Sequence, residues 1–514
     1  MAMHRGLSRI GSKSAGPITP IDKHLWRIAR KAKIMSKTAV QVPPLMERLN
    51  TAMDEPSARP WLTRWSVVAL IVLGTAGLFA LPLAFGRAPG LSDYFPWFVA
   101  NFHRFLVIHV DYSFVVFFLT IFAIFAHISA YRLSNGQPRF LVLEYLAFRA
   151  TVVAIAGMFI PVFIMPEGEP IMSNYVPVLT SPLFYLSLLV LAGAMALMAI
   201  LVLSCLLNRP QKDVASHSFG IDMISLSGIA ASLIYLLAFA YFLYAWAVLD
   251  PQLIEGQPIS HQFNEELFWA GGHVLQFLNV ALLVGAWYAI ASAVLGRAPF
   301  NPMAVVAAIV IVTVSAFVTP VFFSIYEVFS AGWLLAFTNM QYAFAPVGLI
   351  VALPLIKAVL GASDKPWKNP GYVALILSPV VFGIGGVMGL FVDGLDTRTP
   401  AHYHGMIAGV TLAFMALFYT VILPLLKRPI TWPRLSLASV WLFGVGQALA
   451  STGLFIAGGH GAARKVAGAE QGLTAFSAKL GMGLNGGAGL LAIIGGALFV
   501  WVCASALLGK RSDA

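Results

Sequence analysis

Two histidines one residue apart, His402 and His404, stand in the string TPAHYHGMIAGVTLAF, where a polar segment passes into a long apolar run. On an α-helix, residues two apart point about 200° from each other, so the pair cannot close on a single ion. Each serves its own face, and a helix with an imidazole on both sides suits two separate metal centres. Two further histidines share this setting, His109 in FHRFLVIHVDYSF and His273 in ELFWAGGHVLQFLN. At ~1.5 Å of rise per residue, both lie roughly 12–14 Å below the end of an apolar stretch. A lone intramembrane histidine is as readily a hydrogen-bonding group between helices. Four on three helices in one layer argue for ligation.

The elements that position them must be membrane helices. The 514-residue chain is 59% hydrophobic and 10% charged, which implies an all-α polytopic membrane protein. Twelve apolar stretches are long enough to span: 65–85, 102–130, 141–165, 179–207, 220–249, 264–295, 303–326, 332–359, 371–392, 400–426, 436–457 and 485–508. Lysine and arginine collect in the loops that share a side with the first sixty residues, among them Arg132, Arg139, Arg209, Lys212, Arg297, Lys357, Lys365, Lys368, Lys427, Arg428 and Arg434. The positive-inside rule then puts both termini in the cytoplasm, in a bacterial inner membrane. Residues 1–62 are expected to be a basic cytoplasmic extension, 63–509 the membrane domain and 510–514 a short tail.

The net charge of +11 comes from this asymmetry and from Lys23, Arg27, Arg30, Lys31, Lys33 and Lys37, a pattern that meets anionic lipid and not nucleic acid. Cys205 and Cys503 form no disulfide framework, and no CxxCH is present to attach a haem covalently. Any soluble redox carrier is therefore another chain. His4, His24, His217 and His261 fall outside the membrane core, and His103 at a helix mouth. His127 shares a helix face with His109 at the opposite end, which suits two metals stacked across the membrane only if another helix has a matching pair; none is found.

With these residues the sequence resembles the catalytic subunit of the haem–copper oxidase superfamily, from the second span to the twelfth. The segment from His404 to Phe414, HGMIAGVTLAF, matches the family's helix-ten segment, and Arg104, Leu106 and His109 resemble the R-x-L-x-x-H of the nitric oxide reductase and C-type oxidase branches. The resemblance implies a twelve-helix bundle holding two haems, one low-spin on His109 and His404, the other high-spin on His402 with an open distal side. It implies that His273 holds a non-haem copper or iron facing that side. It also implies that Arg464 and Lys465 meet the haem propionates, whose carboxylates need cations in a low-dielectric layer; the other reading of the pair is two basic residues facing water. His460, in the same loop, is a further candidate for a propionate bond.

The pattern breaks on helix seven, where the family supplies an adjacent histidine pair to the second metal. This chain has no His-His, and the corresponding place falls near Phe322-Phe323 or Tyr326-Glu327. A single imidazole does not make a tight copper site. Glu327 with His273 would suit iron, unless Glu327 is merely a solvated helix end. The position four after His273, where one oxidase branch has a cross-linked tyrosine, is Phe277. Tyr326 could stand in from helix seven, and Gln276 and Asn279 offer neutral polar groups. Glu144, Arg149 and Asp222 could start a proton path, although pairing explains them as well. Lys357 reads as a snorkelling lysine.

Three functions follow. The first is a terminal reductase that takes electrons from a cytochrome c or copper-protein partner on the outer side, as part of a hetero-oligomeric complex, and passes them through the low-spin haem to a high-spin haem that reduces O2 or NO. The second is a non-pumping haem subunit that relays electrons for a partner oxidoreductase, its dinuclear site degenerate. The third, a transporter with packing histidines, leaves the shared depth unexplained.

Overall fold

Apolar runs of this length have no alternative to helix in lipid, since every backbone amide must find its partner within the segment. The computed structural model describes residues 45–164, 168–207, 221–252, 259–392, 394 and 396–511. These form twelve helices long and apolar enough to cross a membrane: Ala58–Arg87, Phe102–Leu133, Leu141–Ile164, Pro182–Leu207, Met223–Gln252, His261–Leu295, Pro302–Ile325, Ala331–Leu360, Pro370–Gly389, Arg398–Leu425, Pro433–Gly458 and Phe476–Leu508. All twelve expected spans are present, and the first and twelfth depart most at their starts, beginning at Ala58 and Phe476 where 65 and 485 were expected. Other starts are signalled in the sequence: Asp222, Ser260, Asn301 and Asn369 each accept a hydrogen bond from a first-turn amide. The basic segment Lys23–Lys37 and His4, His24, Arg209, Lys212 and His217 lie outside the described residues. Within the packed unit that runs from Pro44 to Ala514, the short helix Leu45–Ala52 rests on the second and sixth spans.

The spans are not equivalent. The second and tenth have 83% of their central windows buried and the sixth 78%, against 22% for the eighth. The four histidines of interest stand on those three innermost spans. The outer spans turn large apolar side chains outward, such as Leu78, Val153, Leu349 and Ile494, as contact with lipid tails requires.

The loops 88–101, 168–181, 390–397 and 459–475 share one face, which we call the upper face. Loop 168–181 is pinched by a two-stranded antiparallel pair, Pro170 opposite Leu179 and Ile171 opposite Val178, which presents residues 172–177 to the bundle. Loop 459–475 is tied to the start of the tenth span by a bridge between Asp396 and Ala463. Asp396 also pairs with Arg398 at 2.7 Å and accepts its backbone amide.

Candidate functional site

His404 and His109 line one cavity of about 420 Å³ between the first, second, tenth, eleventh and twelfth spans. Arg87, Arg464 and Lys465 line it as well, and Tyr403, Met172, Ser173 and Asn174 add to the wall. His402 does not; its ring turns toward the ninth span, with Nδ1 2.8 Å from the carbonyl of Gly385. The helix geometry expected from His-x-His is therefore realised, one imidazole on each side.

All four histidines are held the same way. A carbonyl oxygen can only accept, so the Nδ1–H donates in each case: His109 to Ala76 at 3.0 Å, His273 to Trp269 at 2.8 Å, His402 to Gly385, and His404 to the Gln447 side-chain oxygen at 3.4 Å. That fixes the tautomer with a lone pair on Nε2, the arrangement that metal-ligating histidines use.

Close packing of the ninth and tenth spans sets His402. A Cβ on Gly405 would lie 2.5 Å from the Cα of Gly385, and one on Gly389 would lie 2.7 Å from His402 Nδ1. Glycine at these places lets the backbones meet and brings the Gly385 carbonyl to the imidazole. On the second span, His109 is followed by a π-helical stretch, Asp111–Val116, a distortion common at functional sites. Asp111 is fully buried and neither carboxylate oxygen has a hydrogen-bond partner among the described residues. An acid this close to a ligand candidate was visible in the sequence, but its burial was not.

The roof of the cavity is a polar network. Lys465 Nζ donates to the carbonyls of Met172 and Ser173 and to the Asn174 side-chain oxygen, which Arg464 Nη2 also reaches at 3.0 Å. Asn174 in turn donates through its backbone and side-chain nitrogens to Glu265 at 2.7 and 3.2 Å. The Lys465 carbonyl meets His103 Nε2 at 2.8 Å, and Arg87 reaches the carbonyl of Ala463. Burial, then the neighbouring Arg464, lowers the Lys465 ammonium to a pKa of about 8. The oxygens it touches are all neutral. A cavity with two free imidazole nitrogens, three cations and that unneutralised charge fits a planar, dianionic bis-imidazole-ligated group such as haem. His460, just past the end of the eleventh span, bonds the carbonyl of Ile456 in that span's last turn through Nδ1.

His273 lies among rings: Tyr175 at 4.7 Å, Trp269 at 4.9 Å and Phe337 at 6.2 Å between centroids. Tyr175 comes from loop 168–181, where no motif or periodicity singles it out. Burial, with Tyr403 and Glu265 nearby, pushes its phenol well above the usual range. Glu327 is exposed at the upper end of the seventh span, and Phe277 packs on Phe344 at 4.6 Å. No group of three or more His, Cys, Asp or Glu able to hold a metal exists among the described residues.

His127 is paired on the second span's other end: its Nδ1 lies 2.6 Å from Glu144 Oε1, both side chains fully buried, and Trp65 Nε1 donates to the same oxygen. Asp222 caps its own helix and pairs with Arg132 at 3.3 Å, Arg149 lies over the Tyr145 ring, and Lys357 is exposed. Each of these ionisable groups has a local partner or faces solvent, while His127 Nε2 and Glu144 Oε2 are buried without a hydrogen-bond partner among the described residues.

A family model described as Cytochrome C and Quinol oxidase polypeptide I matches residues 62–480. A cytochrome c oxidase subunit 1 of Thermus thermophilus is 26% identical over 507 residues, covering 91% of this chain and 87% of that protein. An uncharacterised protein of Rickettsia prowazekii is 25% identical over 535 residues, covering 89% of this chain and 97% of its own length. Among solved structures, a heme-copper terminal oxidase dimer superposes with a TM-score of 0.69 at 13% identity, over 89% of this chain and 85% of the other. The last is a likeness of fold.

Proposed function

Because the chain belongs to the cytochrome c and quinol oxidase polypeptide I family, we propose that this multi-pass membrane protein is the haem-binding subunit of a terminal respiratory oxidoreductase reducing O2 or NO. The observation that carries the reading is the cavity shared by His109 and His404 beneath Arg87, Arg464 and Lys465, with His402 turned to the other side of the same helix. When bound, a low-spin haem on His109 and His404 would carry electrons, and a high-spin haem on His402 would bind and reduce the substrate.

The chain's own residues do the positioning. Ala76, Gln447 and Gly385 carbonyl oxygens orient three imidazoles, so that Nε2 presents its lone pair without further rearrangement. Lys465 and Arg464 hold loop 172–174 over the cavity and supply the charge that carboxylates would otherwise lack in a dry site. Electrons would arrive at the upper face from a cytochrome c or copper-domain partner, with that face outside a bacterial inner membrane.

A second reading, an electron-relay subunit with no substrate-reducing centre, is favoured by the lack of any His-His in the chain, with Phe322-Phe323 or Tyr326-Glu327 where the family keeps a histidine pair. An optical spectrum of the purified protein separates the two. Two haems, one of them high-spin and reactive with carbon monoxide, support reduction; two low-spin haems support relay. Within the first reading, His109→Ala and His404→Ala abolish the low-spin signal and spare the high-spin one, and His402→Ala does the reverse. A variant that leaves both signals intact removes the corresponding ligand from the scheme.

A further inference from the structure

A copper or iron beside His273 requires three or four nitrogen, oxygen or sulfur donors converging on one point. Around His273 the described residues bring no second imidazole, thiolate or carboxylate into such a group, only aromatic rings and the neutral polar groups of Tyr175 and Gln276. Behind Phe337 stand Phe322 at 5.3 Å and Phe323 at 6.2 Å between centroids, one of the two places, with Tyr326-Glu327, to which the resemblance assigns two more imidazoles. Phenylalanine has no lone pair to give. Glu327, the helix-seven carboxylate that the sequence offered as a partner for His273, is exposed. The donor set does not fit a non-haem metal.

What fills the space is a phenol. The Tyr175 ring reaches His273 because residue 272 is glycine: a Cβ there would lie 2.5 Å from Tyr175 Cγ. Its hydroxyl accepts a hydrogen bond from Gln276 Nε2 at 3.3 Å, and residue 276 follows His273 by three, on the same helix face. Accepting from Gln276 leaves the Tyr175 O–H free to donate elsewhere. The backbone is pinned from both sides: Asn174 bonds Glu265, and Lys465 bonds the carbonyls of Met172 and Ser173. The ring is thus held by the sixth span below and by the 459–475 loop above. The sixth span itself packs against the tenth, which carries His402.

Resting on the assignment of His402 to a haem, we propose that the site at His273 holds no non-haem metal. The Tyr175 phenol, held by Gln276, is instead the group that hydrogen-bonds a small molecule bound there. The set offers one O–H donor, one amide and one imidazole lone pair. It suits a small oxygen- or nitrogen-centred ligand with a lone pair to accept from the phenol.

The experiment compares the purified haem-loaded wild type with His273→Ala, Tyr175→Phe and Gln276→Leu. Haem is counted by its pyridine haemochrome, total copper and iron by elemental analysis, and the distal environment by the carbon monoxide stretch of the reduced protein. In the wild type all iron is haem iron and copper is substoichiometric, and His273→Ala leaves that count unchanged. Tyr175→Phe keeps the ring and both haems, shifts the carbon monoxide band and speeds ligand release by roughly fivefold, the worth of one ordinary hydrogen bond. Gln276→Leu shifts the band without touching the ring. Copper or non-haem iron at one per chain, lost in His273→Ala, overturns the proposal while leaving the haem assignment intact. A band unmoved in both Tyr175→Phe and Gln276→Leu overturns the role of the phenol. A wild-type chain without haem overturns the His402 assignment, and the distal pocket with it.

Discussion

Lys465 sits at φ 60°, the left-handed region that costs a side-chain-bearing residue roughly 1–2 kcal/mol. Such strain persists where the surroundings over-determine it. Around Lys465 they do: its carbonyl is held by His103 and its ammonium by loop 172–174. The charged and titratable groups near the ammonium are Arg464 and Glu265, with His103 at the backbone. Its pKa of about 8 lies below the 10.5 of a free lysine, so between those values the ligand-free folded chain has lost a proton that the unfolded chain retains. The stability of the ligand-free protein therefore rises with pH across that window. Binding of an anion has the opposite sign. A propionate beside Lys465 restores the ammonium, so above pH 8 binding takes up a proton and weakens as pH rises, at most about tenfold per pH unit. Haem transfer to a soluble acceptor protein measures this: release accelerates above pH 8 in the wild type, whereas Lys465→Met releases faster at neutral pH and loses that dependence. A pH profile identical in wild type and Lys465→Met removes Lys465 from the haem site.

The ninth and tenth spans show how much a helix pair can decide through glycine contacts alone. Gly385 and Gly405 touch backbone to backbone, and a Cβ on Gly409 would lie 2.6 Å from that of Phe382. Leucine at 405 must push the spans apart, a strain of about 1–3 kcal/mol, and in doing so draws the Gly385 carbonyl away from His402 Nδ1. Gly405→Leu should lower the melting temperature and weaken the high-spin signal more than the low-spin one, whereas Gly483→Leu, whose added Cβ meets nothing within 4 Å, should change neither. Equal losses of both signals would mean the substitution acts on the fold alone. These contacts also mark where sequence reasoning stopped. The spans were legible because apolar runs leave lipid-embedded backbone one solution, and His402 and His404 because two imidazoles on a helix must diverge. Tyr175 was not legible: it sits in a polar loop without periodicity, and only the space above Gly272 shows that its ring enters the bundle. Asp111 was readable as an acid in an apolar run, but the missing partners of its carboxylate and the π-helical turn around it depend on neighbouring helices. His127 and Glu144 were each noted singly; their pairing across the second and third spans is a tertiary fact.

At the scale of the whole molecule, charge and site reinforce each other. The face opposite the loops 168–181 and 459–475 carries Arg132, Arg139, Lys365, Lys368, Lys427, Arg428 and Arg434. The upper face has fewer cations, and three of them, Arg87, Arg464 and Lys465, line the cavity and leave less charge for water. Solvent-facing positive charge is thus more lopsided than a count of residues suggests, and it is this asymmetry that orients a polytopic chain. The expected orientation has the upper face outside, so that a soluble donor meets the roof over His109 and His404 while the basic face meets anionic lipid and the cytoplasm. Glu470 and Lys365 are exposed on opposite faces, and the two native cysteines, Cys205 and Cys503, are buried. In a background with both cysteines replaced by serine, a membrane-impermeant maleimide should label Glu470→Cys in intact bacterial cells and Lys365→Cys only after permeabilisation. The reverse pattern would place the haem roof in the cytoplasm. It would then rule out an external cytochrome c or copper protein as donor, because the electrons would have to come from a cytoplasmic carrier or from within the bilayer.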